Sequence, residues 1–319
     1  MKNASKAVCG LLSAVSVAGA LSCGACFLID EVLFNRKMAP SAKLSQKISG
    51  CNTSHLGDYL AKNLQWVEDY GYERHFIISD RGERLTGFLM KAKEKSDVYV
   101  FGAHGYRSYG KKEFCGVAQY YLSKGINVFF PDHVASGESE GSHCTFGHYE
   151  VIDSMKWLTY MTETFGKDIK IILHGVSMGC ATVTMMSGKA ELSRNVKAIV
   201  ADCGFSTATD LFDSKLKDLG IKGGALIKAV NAVNKINLGF DFEELRPVDS
   251  VKNARVPMLF IHGEKDALVP CRMVYELFDA CGSEHKELLV IKEADHAQSF
   301  MVGKEEYTQK LGGFIDSSL

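Results

Sequence analysis

Residues 170–179 read KIILHGVSMG, an apolar run that ends in a serine flanked by glycines. A strand that leads directly into Gly-x-Ser-x-Gly, with a helix leaving it, is the setting in which this pattern carries a nucleophile. The glycines let the backbone turn sharply enough to expose the hydroxyl, and the turn aims the first helix amides at a developing anion. The stretch therefore predicts a strand, a tight turn and a helix, with Ser177 as a nucleophile at the turn.

A second match to the same pattern occurs at 137–141, which reads GESEG. No strand-like run leads directly into it and no helix-like pattern begins at Gly141. The negative charges of Glu138 and Glu140 would also destabilise an alkoxide formed on the serine between them. Ser139 is therefore interpreted as a residue of a surface loop.

Apolar strand-like runs alternate with helix-like stretches on both sides of the nucleophile motif. Such alternation predicts an α/β fold with a mostly parallel sheet and helices on both of its faces. A hairpin at 75–90 leads into it, and the stretch 205–246 is too long for a plain crossover. Strands are expected at 98–103, 127–130, 169–173, 196–201, 258–261 and 288–291, with helices at 112–123, 150–164, 180–189, 272–281 and 305–314.

A serine nucleophile needs a base, and three histidines follow it in the chain: His262, His285 and His296. His262 ends a strand before a glycine and is interpreted as structural. His285 lies in a polar turn and is expected to be solvated. His296 follows the last strand, in a loop that could face Ser177, and is the predicted base.

The base needs an orienting acid, expected in the loop after the preceding strand. That loop, 262–266, reads HGEKD and offers Glu264 and Asp266. The thirty-residue interval to His296 favours Asp266. Asp202, after the 196–201 strand, is the rival acid, and Asp295 is interpreted as a surface carboxylate.

An oxyanion hole needs two backbone donors. One predicted donor is the amide of Met178, at the start of the nucleophile helix. The turn after the 98–103 strand reads His104-Gly105-Tyr106, and the amide of Tyr106 is the second. His104 itself is expected to pack and form hydrogen bonds beneath this turn.

Taken together, HGY at 104–106, GVSMG at 175–179, HGEKD at 262–266 and DH at 295–296 resemble the motifs of the α/β-hydrolase superfamily. The membrane-anchored bacterial hydrolases of the serine aminopeptidase and monoacylglycerol lipase group are the most similar. The resemblance implies an α/β-hydrolase catalytic domain over 75–319, with a small helical cap at about 205–246 and no metal or cofactor. One departure is Val134, which stands where these enzymes often carry an Arg after the fourth strand.

The N-terminus carries an uncharged run from Ala7 to Ile29, long enough as a helix to span a bilayer of about 30 Å. The predicted organisation is a signal anchor at 1–30, a helical linker region at 31–74 and the catalytic domain beyond. The catalytic domain is expected outside the cytoplasm. The alternative is a cleaved signal peptide, with small residues at 18–20 for cleavage, which would leave the enzyme secreted.

Charge and cysteine usage exclude other classes of protein. The chain of 319 residues has 37 basic and 38 acidic side chains, a balance that gives no support to nucleic-acid binding. Of its ten cysteines, only Cys23 and Cys26 form a C-x-x-C pair, no His-x-x-x-His partner for a zinc site is present, and most of the cysteines are interpreted as reduced and buried.

The predicted cap is the part of the sequence that bears on the substrate. Apolar residues at helical spacing suggest either a packing face or the lining of an acyl pocket. The favoured function is a serine esterase for short to medium acyl chains, with a small-molecule ester as its partner. A small-peptide or aminoacyl amide hydrolase is the alternative, and an inactive membrane-tethered binding module is less favoured. The residues of this stripe are Ala225, Leu226, Ala229, Val230, Val233, Ile236 and Phe240.

Overall fold

Eight strands of the described residues form one sheet, in the order β1-β2-β4-β3-β5-β6-β7-β8. The computed structural model describes residues 23–319 apart from 39, 42–43, 45–47 and 52–55. The first two strands form an antiparallel hairpin, β2 pairs antiparallel with β4, and every other pairing is parallel. This confirms the predicted mostly parallel sheet. The strands are β1 (Glu73–Ile78), β2 (Arg84–Met90), β3 (Val98–Ala103), β4 (Asn127–Pro131), β5 (Lys170–Val176), β6 (Val196–Asp202), β7 (Met258–Gly263) and β8 (Lys286–Ile291).

Helices cover both faces of the sheet, and an apolar core lies under each set. Successive strand residues point to opposite faces, so Phe129 and Phe130 of β4 enter different cores. Trp157 packs in the first core and Tyr121 in the second. The helices are α1 (Cys23–Phe34), α2 (Leu56–Tyr70), α3 (Gly110–Phe114), α4 (Val117–Ser123), α5 (His148–Phe165), α6 (Met178–Ser187), α7 (Ala208–Asp218), α8 (Gly223–Asn237), α9 (Pro247–Ser250), α10 (Arg272–Ala280), α11 (Ser299–Val302) and α12 (Lys304–Ser318).

The predicted helical cap is present as α7 and α8, but the apolar stripe assigned to α8 was partly wrong. Leu226 and Val230 are buried as expected. Ala225 is exposed, and Ile236 is 89% exposed. The buried face instead includes Ile227 and two asparagines that form hydrogen bonds within the cap. The helix is therefore rotated relative to the face that apolar residues alone predict.

Helix α1 crosses the predicted boundary between anchor and linker at residue 30, and it packs against α8 of the cap. Cys26, Asp30 and Phe34 are buried. Asn237, at the end of α8, donates a hydrogen bond of 2.9 Å to Asp30 Oδ2. In the part of the chain that the structure describes, no helix is long and apolar enough to cross a membrane. The portion 7–22 of the predicted anchor lies outside the described residues.

Among the described residues, seven cysteines form no disulfide: Cys51, Cys115, Cys144, Cys180, Cys203, Cys271 and Cys281. Six of these seven are buried, and Cys271 is partly exposed. For the described residues this agrees with the interpretation of reduced, buried thiols.

Candidate active site

Ser177 lies at the turn between β5 and α6, as the sequence predicts. Its backbone has φ 57° and ψ −117°, a conformation that costs energy for a residue with a side chain. The neighbouring glycines make the turn possible. A Cβ at Gly175 would lie 2.1 Å from the Gly179 carbonyl oxygen, and one at Gly179 would lie 1.9 Å from the Ala103 carbonyl oxygen. No larger residue fits either position without moving the backbone.

The structure brings Ser177, His296 and Asp266 into one hydrogen-bonded line. His296 Nε2 lies 2.8 Å from Ser177 Oγ, and His296 Nδ1 lies 2.8 Å from Asp266 Oδ2. These residues come from loops after three different strands, β5, β7 and β8, which end at the same edge of the parallel sheet. The geometry is that of a nucleophile, a base and an orienting acid.

The Asp266 carboxylate is also held by its own loop. Its Oδ1 accepts hydrogen bonds from the amides of Leu268 (2.9 Å) and Val269 (2.7 Å). His262 is buried and lies 3.2 Å from Oδ2, in the structural role predicted for it. Burial opposes ionisation of Asp266, but the charge of His296 and hydrogen bonds from both histidines hold the pKa of this carboxyl well below its usual range. The acid is therefore a fixed negative charge beneath His296.

The environment of His296 favours its protonated form. Burial lowers the pKa of this imidazole, but the Asp266 carboxylate outweighs burial, with further contributions from Glu113 and Asp202. The pKa of His296 consequently lies above its ordinary value of about 6.5. An imidazolium formed during a reaction would be stabilised here.

The rival acid, Asp202, lies close to this line but outside it. Its side chain accepts a hydrogen bond of 2.9 Å from the Tyr307 hydroxyl, and its backbone carbonyl accepts one from the Ser177 amide. Burial raises the pKa of Asp202 to about 6, although the Tyr307 hydrogen bond opposes the shift. Asp266, and not Asp202, accepts the hydrogen bond from His296 Nδ1, so Asp202 contacts the site through the Ser177 backbone instead.

The turn 104–106, called here the oxyanion turn, lies directly against Ser177. A Cβ at Gly105 would lie 3.3 Å from Ser177 Cβ. His104 is fully buried, and its Nε2 accepts a hydrogen bond of 2.9 Å from the His133 amide, as expected of a residue that packs beneath this turn. Met178 is the first residue of α6, and the first N–H groups of a helix have no acceptor within it. Both predicted donors, the amides of Tyr106 and Met178, are thus on segments beside the serine.

Two side chains that were interpreted as surface residues are not free in solvent. Ser139 is 2% exposed, accepts a hydrogen bond of 2.9 Å from the Thr86 amide and donates one of 2.7 Å to the Asp132 carbonyl. Asp295 accepts hydrogen bonds from the amides of Ala267 (3.0 Å) and His296 (2.7 Å). Ser139 therefore stabilises a loop, and Asp295 ties the acid loop to the base loop. His285 pairs with Glu287 at the far end of β8, away from His296.

An aromatic cluster links α1 and the cap to the oxyanion turn. Phe34, at the end of α1, lies 5.8 Å from both Phe146 and Phe240, measured between ring centroids. Phe146 in turn lies 4.6 Å from Tyr106 and 5.3 Å from Phe212 of α7. The hydrophobic residues of α1 are therefore part of the structure above the site, a role that the sequence did not reveal because they continue an apolar run.

Hydrogen bonds reinforce the same link. The Tyr106 hydroxyl donates to the Leu33 carbonyl, and the Arg107 guanidinium donates to the carbonyls of Val32 (2.6 Å) and Asn35 (3.4 Å). The last carbonyls of a helix lack donor partners within it, so these side chains satisfy acceptors that the helix leaves open. The end of α1 and the oxyanion turn are consequently held together.

A cavity of about 150 Å³ lies between α1 and the cap helices, with walls that are almost entirely apolar. Phe212 lines the cavity and also contacts Phe146, which contacts the oxyanion turn. Lys215 also lines it and donates to the Ala267 carbonyl, beside the acid Asp266. The wall of the cavity is therefore connected to the Tyr106 side chain of the oxyanion turn through the rings of Phe212 and Phe146. Its walls are Leu28, Ile29, Val32, Leu33, Ile48, Phe212, Lys215, Leu216, Leu219, Leu226, Ile227, Val230 and Phe242.

Cys203, Asp266 and His296 place potential metal ligands within 4.8 Å of one another. The carboxylate and the imidazole already bind each other, and the imidazole binds Ser177. Burial raises the pKa of the Cys203 thiol well above its ordinary value, which leaves it protonated and a poor ligand. We assign no metal to these residues.

Two protein-family models match the chain. One, described as the alpha/beta hydrolase fold, matches residues 101–246, and the other, described as serine aminopeptidase S33, matches residues 246–300. The first match covers β3 to the end of the cap, including Ser177. The second covers Asp266 and His296. The fold and the group that the sequence motifs resemble are both confirmed in this general form.

The chain is also similar to curated proteins and to a solved structure. The uncharacterized protein YqkD of Bacillus subtilis is 25% identical over 198 residues, which are 62% of this chain and 64% of YqkD. Protein bem46 of Schizosaccharomyces pombe is 25% identical over 197 residues, 61% of this chain and 60% of that protein. The chain thus matches less than two thirds of either relative. The structure of the Pyrococcus furiosus esterase Pf2001 is 21% identical, with a TM-score of 0.64, over 81% of this chain and 93% of the esterase.

Proposed function

We propose that this chain, which matches the family models of the alpha/beta hydrolase fold and of serine aminopeptidase S33, is a serine esterase that cleaves carboxylic esters of short to medium acyl chains. The observation that carries the proposal is the continuous line from Ser177 through His296 to Asp266, with both hydrogen bonds at 2.8 Å. The similarity of the fold to that of the Pyrococcus furiosus esterase Pf2001 supports the proposal.

In the proposed mechanism, Ser177 Oγ attacks the ester carbonyl while His296 Nε2 takes its proton. Asp266 holds the imidazole in the tautomer with its proton on Nδ1 and stabilises the imidazolium. The amides of Met178 and Tyr106 donate to the oxyanion of the tetrahedral intermediate. His296 then protonates the departing alcohol, leaving an acyl group on Ser177 that water removes by the same sequence of proton transfers.

The apolar cavity favours an acyl chain over a charged amino terminus. An aminopeptidase holds a free ammonium group, which calls for an unpaired carboxylate near the nucleophile. Several of the cap's acidic side chains instead form ion pairs: Asp213 with Lys217, Asp218 with Lys215, and Asp241 with Lys235. The match to the serine aminopeptidase model keeps a small-peptide or aminoacyl amide hydrolase as the second candidate.

We expect esters to be preferred over aminoacyl amides by at least about 10²-fold in kcat/KM. Each methylene buried in the cavity adds at most about 0.8 kcal/mol, so kcat/KM should rise over the first few carbons and then fall when the chain fills the cavity. The measurement is a series of p-nitrophenyl esters from acetate to palmitate beside aminoacyl-p-nitroanilides. Faster turnover of an anilide than of the best ester would promote the peptidase.

The cavity itself is tested by a matched pair of substitutions on α8. Ile227→Phe adds volume to a residue that lines the cavity, whereas Ile236 is 89% exposed on the same helix. Ile227→Phe is expected to move the preferred ester to a shorter chain, and Ile236→Phe to leave the preference unchanged. An unchanged chain-length profile in both variants would exclude this cavity as the acyl site.

We further propose that the segment before α1 directs the catalytic domain out of the cytoplasm. Helix α1, which begins at residue 23, packs with the cap, so the uncharged run that precedes it, 7–22, would span at most about 24 Å as a helix. This favours cleavage at the small residues 18–20 over a retained anchor. Expression of the full chain in cells followed by N-terminal sequencing should give a start just after Ala20 and activity in the extracytoplasmic fraction. An intact N-terminus that resists alkaline extraction from membranes would indicate an anchor instead.

A further inference from the structure

Both backbone polar groups of Gly105, in the oxyanion turn, have fixed partners. Its N–H donates to Glu113 Oε2 at 3.1 Å. Its carbonyl oxygen accepts from His104 Nδ1 at 2.8 Å and from the Ser108 amide at 3.2 Å. Of these partners, Glu113 is the one with an acidic side chain, and it lies on α3, outside the turn.

These bonds determine where the next amide points. In a planar trans peptide, the carbonyl of one residue and the N–H of the following residue point in opposite directions. With the Gly105 carbonyl held by His104 and Ser108, the Tyr106 N–H is directed away from them. A Cβ at Gly105 would lie 3.2 Å from Glu113 Oε2 and 3.3 Å from Ser177 Cβ. The Glu113 carboxylate therefore lies against the oxyanion turn, and the turn lies against Ser177.

Glu113 also acts on the base through its charge. Burial lowers the pKa of His296, and the carboxylates that raise it are Asp266, Glu113 and Asp202, in that order. Other titratable groups at this point are His262, which lies against Asp266, the protonated Cys203 thiol, and Asp295, whose carboxylate accepts from the His296 amide. Glu113 is the one of the three carboxylates that also holds the oxyanion turn.

We propose that Glu113 is a positioning residue for ester hydrolysis: its carboxylate accepts the hydrogen bond of the Gly105 N–H and so fixes the oxyanion turn beside Ser177. The inference rests on the proposed esterase function. It gives one side chain two separable effects, since the hydrogen bond from Gly105 needs only an oxygen acceptor and the effect on His296 needs the negative charge.

Two substitutions in the full chain separate these effects. Glu113→Gln keeps an oxygen acceptor for the Gly105 N–H and removes the charge, whereas Glu113→Ala removes both. Loss of one oxyanion donor costs about 10²- to 10³-fold in kcat, so a loosened turn in Glu113→Ala should lower kcat by at least about 10-fold, with KM changed by less than about 2-fold. Glu113→Gln should keep kcat within about 3-fold of the unsubstituted enzyme. Glu94→Gln, at an exposed glutamate in the loop before β3, is the matched control.

The pH profile supplies the readout that a purely structural role would not move. A base must be neutral, so kcat/KM falls as pH drops through the pKa of His296, which lies above about 6.5. Removing a nearby negative charge lowers that pKa. The acidic limb should therefore move to lower pH in Glu113→Gln and remain in place in Glu94→Gln.

The outcomes distinguish the inference from the function on which it rests. If the unsubstituted enzyme neither hydrolyses esters nor reacts with a fluorophosphonate probe, the proposed function fails. If it is active and Glu113→Ala matches it in kcat, or Glu113→Gln leaves the acidic limb unmoved, the assignment of Glu113 is overturned. If Glu113→Ala has a lower melting temperature than the unsubstituted enzyme, its loss of kcat no longer tests the role of Glu113. The pH profile of Glu113→Gln then decides whether the assignment stands.

Discussion

Ser177→Ala is expected to abolish labelling by a fluorophosphonate probe and to lower kcat for ester hydrolysis by about 10⁴- to 10⁶-fold. The alanine removes the oxygen that lies 2.8 Å from His296 Nε2 and leaves the base with nothing to deprotonate. The turn should survive, because its conformation depends on the glycines on either side. Probe labelling and steady-state kinetics on the purified full chain test the prediction. Full activity in this variant would end the assignment of the nucleophile.

The serine of the second Gly-x-Ser-x-Gly match is the control. Ser139→Ala should still be labelled, since Ser139 is buried and bonded to Thr86 and Asp132. It should nevertheless be less stable, because the substitution leaves a buried amide without its acceptor, at a cost of about 1–3 kcal/mol. Chemical denaturation would show this. A variant as stable as the unsubstituted enzyme but no longer labelled would reverse the roles of the two serines.

The parts of the fold that could be predicted are those in which local sequence and tertiary structure favour the same conformation. Central strands such as β5 are buried on both faces and therefore read as continuous apolar runs. Asp266 and His296 could be found because each follows such a strand, and parallel strands bring their following loops to one edge. Chain order then limited the choice of acid and base.

The features that the sequence left open have a common physical origin, because apolar character does not determine which partner a side chain packs against. The apolar run before residue 30 is typical of a membrane segment, yet its described end is equally suited to packing under the cap. In α8, Ile236 fits an apolar stripe but is exposed, while Asn234 is buried because its side chain donates to the Phe240 carbonyl. Ser139 is buried for the same kind of reason. Hydrogen bonds between separate segments determine which of these side chains are buried. The periodicity of apolar residues along the sequence does not reveal such bonds.

Asp266→Asn is expected to lower kcat by about 10³- to 10⁴-fold while the protein remains folded. The asparagine oxygen can still accept from the amides of Leu268 and Val269, so the loop should keep its shape. The other position, which faces His296 Nδ1, would then carry an NH₂ group, which can only donate. The imidazole would have to accept at Nδ1 and carry its proton on Nε2, where it could no longer take one from Ser177.

Asp202→Asn makes the equivalent change at the rival acid and should cost less than about 10-fold, because the carboxylate of Asp202 binds Tyr307 and makes no hydrogen bond to His296. Its loss should act mainly through charge, since Asp202 is one of the carboxylates that raise the pKa of His296. The acidic limb of kcat/KM should consequently move to lower pH with kcat on the plateau little changed. If Asp202→Asn instead costs more than Asp266→Asn in plateau kcat, with both proteins folded by circular dichroism, the acid of the triad is Asp202, and the 2.8 Å contact between Asp266 and His296 is not the one that orients the base.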